Sequence, residues 1–232
     1  MRKQTGFTLI EIAIVLVIVG LLLGGVLKGQ ELIQSARVRN LASQQDGIKA
    51  AFFGFQDRFR AIPGDYALAT ANITGGSTAA ACGTSGNGNA DGQILASEAI
   101  LAWDHLSHAG FISGSYTCVD ATTITAATTP TNVYGSFLQL IWDNAWGLVA
   151  AGTTRHNIKT GPSIPVSVIA ELDRKIDDGL PYAGSFQFSL IATGGNTAPD
   201  APAATSCTTT AAAASTWNAT NGATNCGGTS VL

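Results

Sequence analysis

Charge is what this chain has least of. Only 12% of its 232 residues are Asp, Glu, Lys or Arg, against the usual ~25%. The shortage is uneven: up to Arg60 eight Lys/Arg stand against four Asp/Glu, a net of +4, and from Ala61 onward four stand against eleven, a net of −7. An acidic C-terminal part without clustered Lys and Arg argues against phosphate-backbone binding, and so against nucleic acid as a partner of this chain alone. No Cys-x-x-Cys or Cys/His spacing suggests zinc. A nucleophile elbow, a phosphate-cradling glycine loop and a metalloprotease His pair are also missing, which points away from an enzyme. Proline is absent from Lys28 to Arg60, so nothing there obliges a helix to break.

What the chain does have is one long apolar run at its start. From Phe7 to Leu27 there are 21 residues, of which only Thr8 and Glu11 are polar. At ~1.5 Å per residue a helix of that length just crosses a ~30 Å hydrocarbon core. Arg2 and Lys3 precede it, a basic pair suited to the cytoplasmic side. Glu11 is the anomaly, because a carboxylate inside a membrane segment costs roughly 2.5–3.5 kcal/mol on the insertion scale and usually has a function. An ordinary secretory signal would have an uncharged core of ~7–15 residues and a small-x-small cleavage site. A plain membrane anchor has no need of the Gly6-Phe7-Thr8-Leu9-Ile10-Glu11 order.

The helix is expected to continue past the membrane to Arg60. Leu41, Ile48, Phe52, Phe55 and Phe59 recur at helical spacing and form one apolar stripe, while Arg37, Arg39, Lys49 and Arg58 stay largely wet. Ala61-Ile62-Pro63-Gly64-Asp65 ends it. Residues 70–93 read as loop. Ser97 to Ala109 reads as a short helix stopped by Gly110, and Pro165 to Ile176 as another, followed by the turn Asp177-Asp178-Gly179-Leu180-Pro181. Ser136 to Trp142 and Phe186 to Ile191 read as strands. From Ala192 to Leu232 a single charge, Asp200, lies amid Thr, Ala, Gly, Asn and Pro. Such a tail lacks the apolar content for a second domain and reads as loop or surface. The fold class expected is α+β: a long N-terminal α-helix, half of it transmembrane, packed on a small antiparallel β-sheet head with loop-rich, disulfide-stapled insertions.

All four cysteines, Cys82, Cys118, Cys207 and Cys226, follow the membrane segment. An even count in a translocated region reads as disulfides formed in an oxidising compartment. Of the three connectivities four cysteines allow, Cys82–Cys118 and Cys207–Cys226 are expected, since each pair brackets one loop-rich segment.

One constellation could carry chemistry. Asn87-Gly88-Asn89-Ala90-Asp91-Gly92-Gln93, closed by Glu98, matches the calcium-loop pattern at all but its first position. Side-chain oxygens of Asn87, Asn89 and Asp91, the Gln93 carbonyl and a bidentate Glu98 would form the ligand set, with Asn in place of Asp weakening affinity toward roughly 10⁻⁴–10⁻³ M. The other reading is an Asn/Gly-rich loop with a chance glutamate. Asp173, Asp177 and Asp178 form a second acidic group, read first as helix surface and turn and second as a cation site. His105 and His108, three apart on the short helix, lack a third ligand close in sequence.

The start of the chain resembles the type IV prepilin signal, shared by type IV pilins and type II secretion pseudopilins. In that family a short basic leader ends in Gly, then come Phe, a glutamate at the fifth mature position and an apolar helix. The resemblance implies that Met1 to Gly6 is a leader, that a prepilin peptidase cuts between Gly6 and Phe7, and that the new amine of Phe7 is methylated. It also implies that Glu11 pairs with the N-terminal ammonium of a neighbouring subunit during assembly. Ile62-Pro63-Gly64-Asp65, the Asn/Gly/Asp loop, Trp103-Asp104-His105-Leu106 and Lys175-Ile176-Asp177-Asp178-Gly179 resemble prepilin-like heads less specifically. The helix departs from many type IV pilins in having Lys28 where they carry a proline, with Gly20, Gly24, Gly25 and Gly29 nearby to loosen it.

The domains expected are a leader, 1–6, a helix, 7–60, of which 7–27 spans the membrane, and a head, 61–232. The function expected is a structural subunit, pilin or minor pilin, single-pass in the inner membrane and then polymerised by an assembly platform into an extracellular filament of itself or of mixed subunits. The alternatives are a pseudopilin in a periplasmic pseudopilus and a membrane-anchored binding or adhesive protein that never polymerises.

Overall fold

The computed structural model describes residues 8–148, 153–190, 206–210 and 212–232. The expected processing residues Gly6 and Phe7 lie outside the described residues, as do Ile191 and the stretch to residue 205. The chain forms two compact units, Met1–Arg37 and Val38–Leu232. Helix α1 (Leu9–Phe59) contributes to both. Then come α2 (Ala69–Asn72), α3 (Ala99–His108), β1 (Gln139–Asp143), β2 (Arg155–Lys159), α4 (Val166–Ile176), β3 (Phe186–Phe188) and β4 (Gly228–Val231).

Within the second unit α1 is amphipathic as its stripe requires. Leu41, Ile48, Phe52 and Phe55 are buried and Phe59 packs partly buried beside them, while Arg39 and Arg58 are exposed and Lys49 is half-buried; Arg37, which ends the first unit, is exposed too. Two groups of apolar side chains use successive stretches of this helix. Val38, Leu41 and Ala42 join α4, Phe186, Phe188 and Trp217. Ile48, Ala51, Phe52 and Phe55 join α3 with Leu138, Leu140 and Ile158. Between them Gln45 is fully buried, and its amide finds no partner among the described residues. A compact head therefore needs α1 from Val38, since that helix contributes buried side chains to both cores.

The sheet is antiparallel throughout, in the order β1-β2-β4-β3. Its register aligns Leu140, Ile158, Ser230 and Phe186 in one row. Because side chains alternate along a strand, this row shares a face, and three of its four members lie in the two cores. On the opposite face Lys159 is fully buried and its Nζ donates to an Asp143 oxygen. Burial pushes the Lys159 ammonium below its usual range, and Asp143 opposes that shift.

The structure is α+β with a long N-terminal helix on a small antiparallel sheet, stapled by Cys82–Cys118 (Cα–Cα 6.0 Å) and Cys207–Cys226 (5.6 Å). It differs from the expected elements in three places. The short α2 lies in the stretch read as loop, and β2 was not anticipated because Arg155 to Lys159 has no clean apolar alternation. The larger difference is the tail. Far from lying at the surface, its last residues form β4, an inner strand between β2 and β3, and Trp217, Cys207 and Cys226 sit in the core. Small residues are the reason. A Cβ at Gly228 would lie 2.1 Å from Phe186 Cζ, so only glycine lets that ring lie over the strand. Thr229 and Ser230 fill narrow buried positions that a larger apolar side chain would overfill.

Candidate functional site

The described residues of the first unit are helical from Leu9 onward. Over the membrane-length apolar stretch of α1 no residue is buried, and Leu9, Leu16, Leu21, Leu22 and Leu27 are all more than 60% exposed. Glu11 lies near the start of this surface. Its Oε2 accepts the Thr8 backbone N–H and the Thr8 hydroxyl, both at 2.8 Å. That ties the carboxylate to the first helical turn, where the partial positive charge of the helix N-terminus also favours it. Past the apolar stretch the Lys28 ammonium meets Glu31 at 2.8 Å, an exposed pair.

The second unit holds the acidic loop, and its geometry only partly follows the expected ligand set. Asp65, Asp91 and Glu98 each bring a carboxylate oxygen within 4.8 Å of the others. Asp65, which the linear pattern omits, is the organiser. Its Oδ1 accepts the Asp91 N–H at 3.0 Å, its Oδ2 accepts the Gly92 N–H at 2.8 Å, and its carbonyl accepts the Ala90 N–H. Glu98 does the same work from the other side, with Asn89 N–H on Oε1 and Leu95 N–H on Oε2. Asp91 completes an Asx turn by accepting the Gln93 N–H at 2.9 Å. The two chain segments touch at Gly88, where a Cβ would fall 2.2 Å from Asp65 Cα.

Asn87 does not join this group. Its Oδ1 faces the other way and accepts the backbone N–H and the hydroxyl of Thr70 at 2.9 and 3.1 Å. Asn89 reaches the cluster through its amide, which donates to Asp91 Oδ2 at 3.0 Å. The loop is therefore not the linear calcium loop with Asn87 first. The Ile62-Pro63-Gly64-Asp65 turn that ends α1 supplies a carboxylate in its place. A signal was present in the sequence: an Asp directly after a helix-ending Pro-Gly, in the stretch resembling prepilin-like heads.

Three carboxylates drawn this close repel one another. Burial first, then Asp65 and Asp91, hold the Glu98 carboxyl above its ordinary range, against the pull of the Asn89 and Leu95 amides. An all-oxygen group with two buried members suits a hard cation, calcium or magnesium, better than zinc, so the cluster could bind a metal.

The other candidates resolve into structure. His105 accepts the Gly64 N–H on Nδ1 at 3.0 Å and donates Nε2–H to the Gly86 carbonyl at 3.1 Å. It is a neutral ring holding two loops, and burial pushes its pKa down. Asp104 is fully buried and accepts the Cys118 N–H at 2.8 Å and the Ser77 N–H at 3.2 Å, while His108 caps it from outside. In the second acidic group, Asp177 accepts the Ser185 and Phe186 N–H groups and Asp178 accepts that of Leu180. These two carboxylates serve backbone amides. Asp173 is buried elsewhere in the core.

Residues 1–27 match the family model described as the prokaryotic N-terminal methylation motif. The chain therefore carries the signal of type IV pilins and pseudopilins, a structural class rather than an enzyme class. No curated protein and no solved structure matches the chain.

Proposed function

We propose that this chain is a structural subunit, pilin or minor pilin, of a type IV filament. In this reading a prepilin peptidase cuts the precursor in the inner membrane between Gly6 and Phe7, and the amine of Phe7 is methylated. The mature helix then leaves the bilayer and packs against copies of itself as the filament grows from its assembly platform. The observation that carries the reading is the helix surface from Leu9 to Leu27, apolar and without a covering partner among the described residues, with one carboxylate near its start. Lipid can cover the leucines but leaves Glu11 at a cost. A neighbouring subunit would cover both, its apolar helix the leucines and its N-terminal ammonium Glu11, and this is the role the methylation signal supports. The head then serves packing and display, with no catalytic role.

Mass spectrometry of filaments sheared from the cell surface tests this directly. The expected outcome is a mature chain beginning at methylated Phe7, with full-length precursor held in the membrane by Gly6→Val. Mature chain found only in a cell-envelope pseudopilus would point instead to type II secretion. Intact Met1 on a protein that never leaves the membrane would make it an anchored binding protein.

We further propose that Asp65, Asp91 and Glu98 hold calcium, whose larger radius and flexible coordination tolerate a partly exposed site better than magnesium does. The support is that convergence of carboxylates from two segments which a cation would tie together.

A further inference from the structure

Asp173 lies on the inward face of α4 with no exposed surface. Its Oδ2 accepts the indole N–H of Trp217 at 2.5 Å, and its Oδ1 is buried without a hydrogen-bond partner among the described residues. Trp217 belongs to the loop closed by Cys207–Cys226. Its ring lies 6.2 Å from that of Phe188, and both cysteines share the core of Val168, Ile169 and Leu172. The same loop is also tied down by the Tyr182 hydroxyl and Thr208 Oγ1 at 2.8 Å, by paired backbone bonds between Ile164 and Cys226, and by the Val166 N–H on the Ala223 carbonyl. The C-terminal loop is thus docked on α4 through a carboxyl that sits in an apolar core with half of its hydrogen-bonding capacity unused.

We propose that Asp173 is a proton-dependent latch, which holds Trp217 and the C-terminal disulfide loop against the head when protonated and lets them open when ionised. Its surroundings offer the charged form little. Asp177 and Asp178 follow it on the turn after α4, and Arg174 and Lys175 on the same helix are exposed. Glu171 lies two residues earlier on the helix, turned away from Asp173, and neither β3 nor the described part of the C-terminal loop carries a charged side chain. Arg39, beside Val38 on the packed stretch of α1, is exposed. Tyr182, the remaining titratable neighbour, is itself pushed up by burial. No Lys or Arg is ion-paired with Asp173 among the described residues.

Burial first, then Asp178 and Asp177, push the Asp173 carboxyl up to about 7, against the pull of the Trp217 indole N–H. An opened loop returns the group to water and to its ordinary 3.8. The closed form therefore binds the proton more tightly, and the latch contributes fully below pH 3.8, weakens as pH rises toward 7 and levels off above it. From those two values the opening constant should rise about 90-fold between pH 5 and pH 8.

The full-length chain in detergent provides the test, because it contains its own reference. Both disulfides are buried, so a phosphine reductant reaches each only when its segment opens, and peptide mass mapping reports which has been reduced. The reduction rate of Cys207–Cys226 relative to Cys82–Cys118 should rise about 90-fold from pH 5 to pH 8 in the wild type. In Asp173→Asn, whose amide oxygen still accepts the indole N–H, the ratio should stay flat. A flat ratio in the wild type, or the same rise in both proteins, overturns the latch. Should the variant fail to fold, carboxyl-carbon NMR of the wild type decides. Titration of Asp173 near 7 together with the Trp217 indole resonance supports the proposal, and titration below about 5 ends it.

Discussion

Helix α1 spends similar leucines in two opposite ways. Before Arg37, Leu16 and Leu22 are 66% and 63% exposed; after it, Leu41 and Phe55 have no exposed surface at all. The carboxylates run in reverse. Glu11 in the first unit is exposed and, among the described residues, served by Thr8. Asp65, Glu98, Asp104 and Asp173 in the second are buried, and all but Asp173 rest on backbone amides. A buried carboxylate that accepts several N–H groups is part of the local fold. An exposed leucine face as long as a membrane is thick has no cover among the described residues and calls for one from outside, so the first unit is built for an environment and the second for itself.

The most drastic way to break that comparison is to remove the one carboxylate from the apolar stretch of the first unit. Glu11→Val makes the apolar surface continuous and should leave membrane insertion and cleavage intact, with the membrane pool undiminished. Filament yield should fall to near zero, because an incoming ammonium would find no counter-charge in a low dielectric. Filament yield measured beside membrane-pool abundance separates the two effects. Equal yield from Glu11→Val and wild type would show that the charge pair does not direct assembly.

Next in size is a pair of truncations on the same helix. Phe55→Ala removes a ring packed against Phe59, Tyr66, Phe111 and His105 and should destabilise the head by about 3–5 kcal/mol. Leu16→Ala removes a side chain of the first unit that is 66% exposed and should leave head unfolding unchanged. Urea unfolding of the full chain in detergent, followed by tryptophan fluorescence, reads both. A comparable loss from Leu16→Ala would mean the two units are not energetically separate.

How much of this was legible in the sequence depended on whether the signal was periodic. The α1 stripe, α3, α4 and the pairing of the cysteines by segment follow from helical spacing and from where chain composition changes, and the structure contains them. β4 was not legible, because Gly228, Thr229 and Ser230 form an inner strand through smallness, a property that reads as loop in one dimension. The acidic site was half legible. Asp91 and Glu98 sit in a recognisable pattern, but Asp65 reaches them through a turn at the end of a different element. Asn87 is claimed instead by Thr70, a contact that no linear pattern encodes.

The smallest effect sharpens that last difference. If calcium binds the carboxylates that the fold brings together, millimolar calcium should raise head stability by about 1.4 kcal/mol at tenfold above Kd. Glu98→Gln should erase the shift, whereas Asn87→Ala should keep it, since that side chain faces Thr70. The pH dependence has a definite sign in each state. Without metal, burial holds the Glu98 carboxyl above its ordinary 4.5, so the contribution of its neutral form is complete below that value and is lost as pH rises through the raised one. With calcium the carboxylate is the ligand, so the calcium-induced shift should grow over the same rise in pH. Thermal unfolding with calcium and with chelator, at several pH values, measures both trends. A shift lost in Asn87→Ala and kept in Glu98→Gln would restore the linear loop. Unfolding indifferent to calcium in the wild type would leave Asp65 and Glu98 as carboxylates whose only task is to hold backbone amides in place.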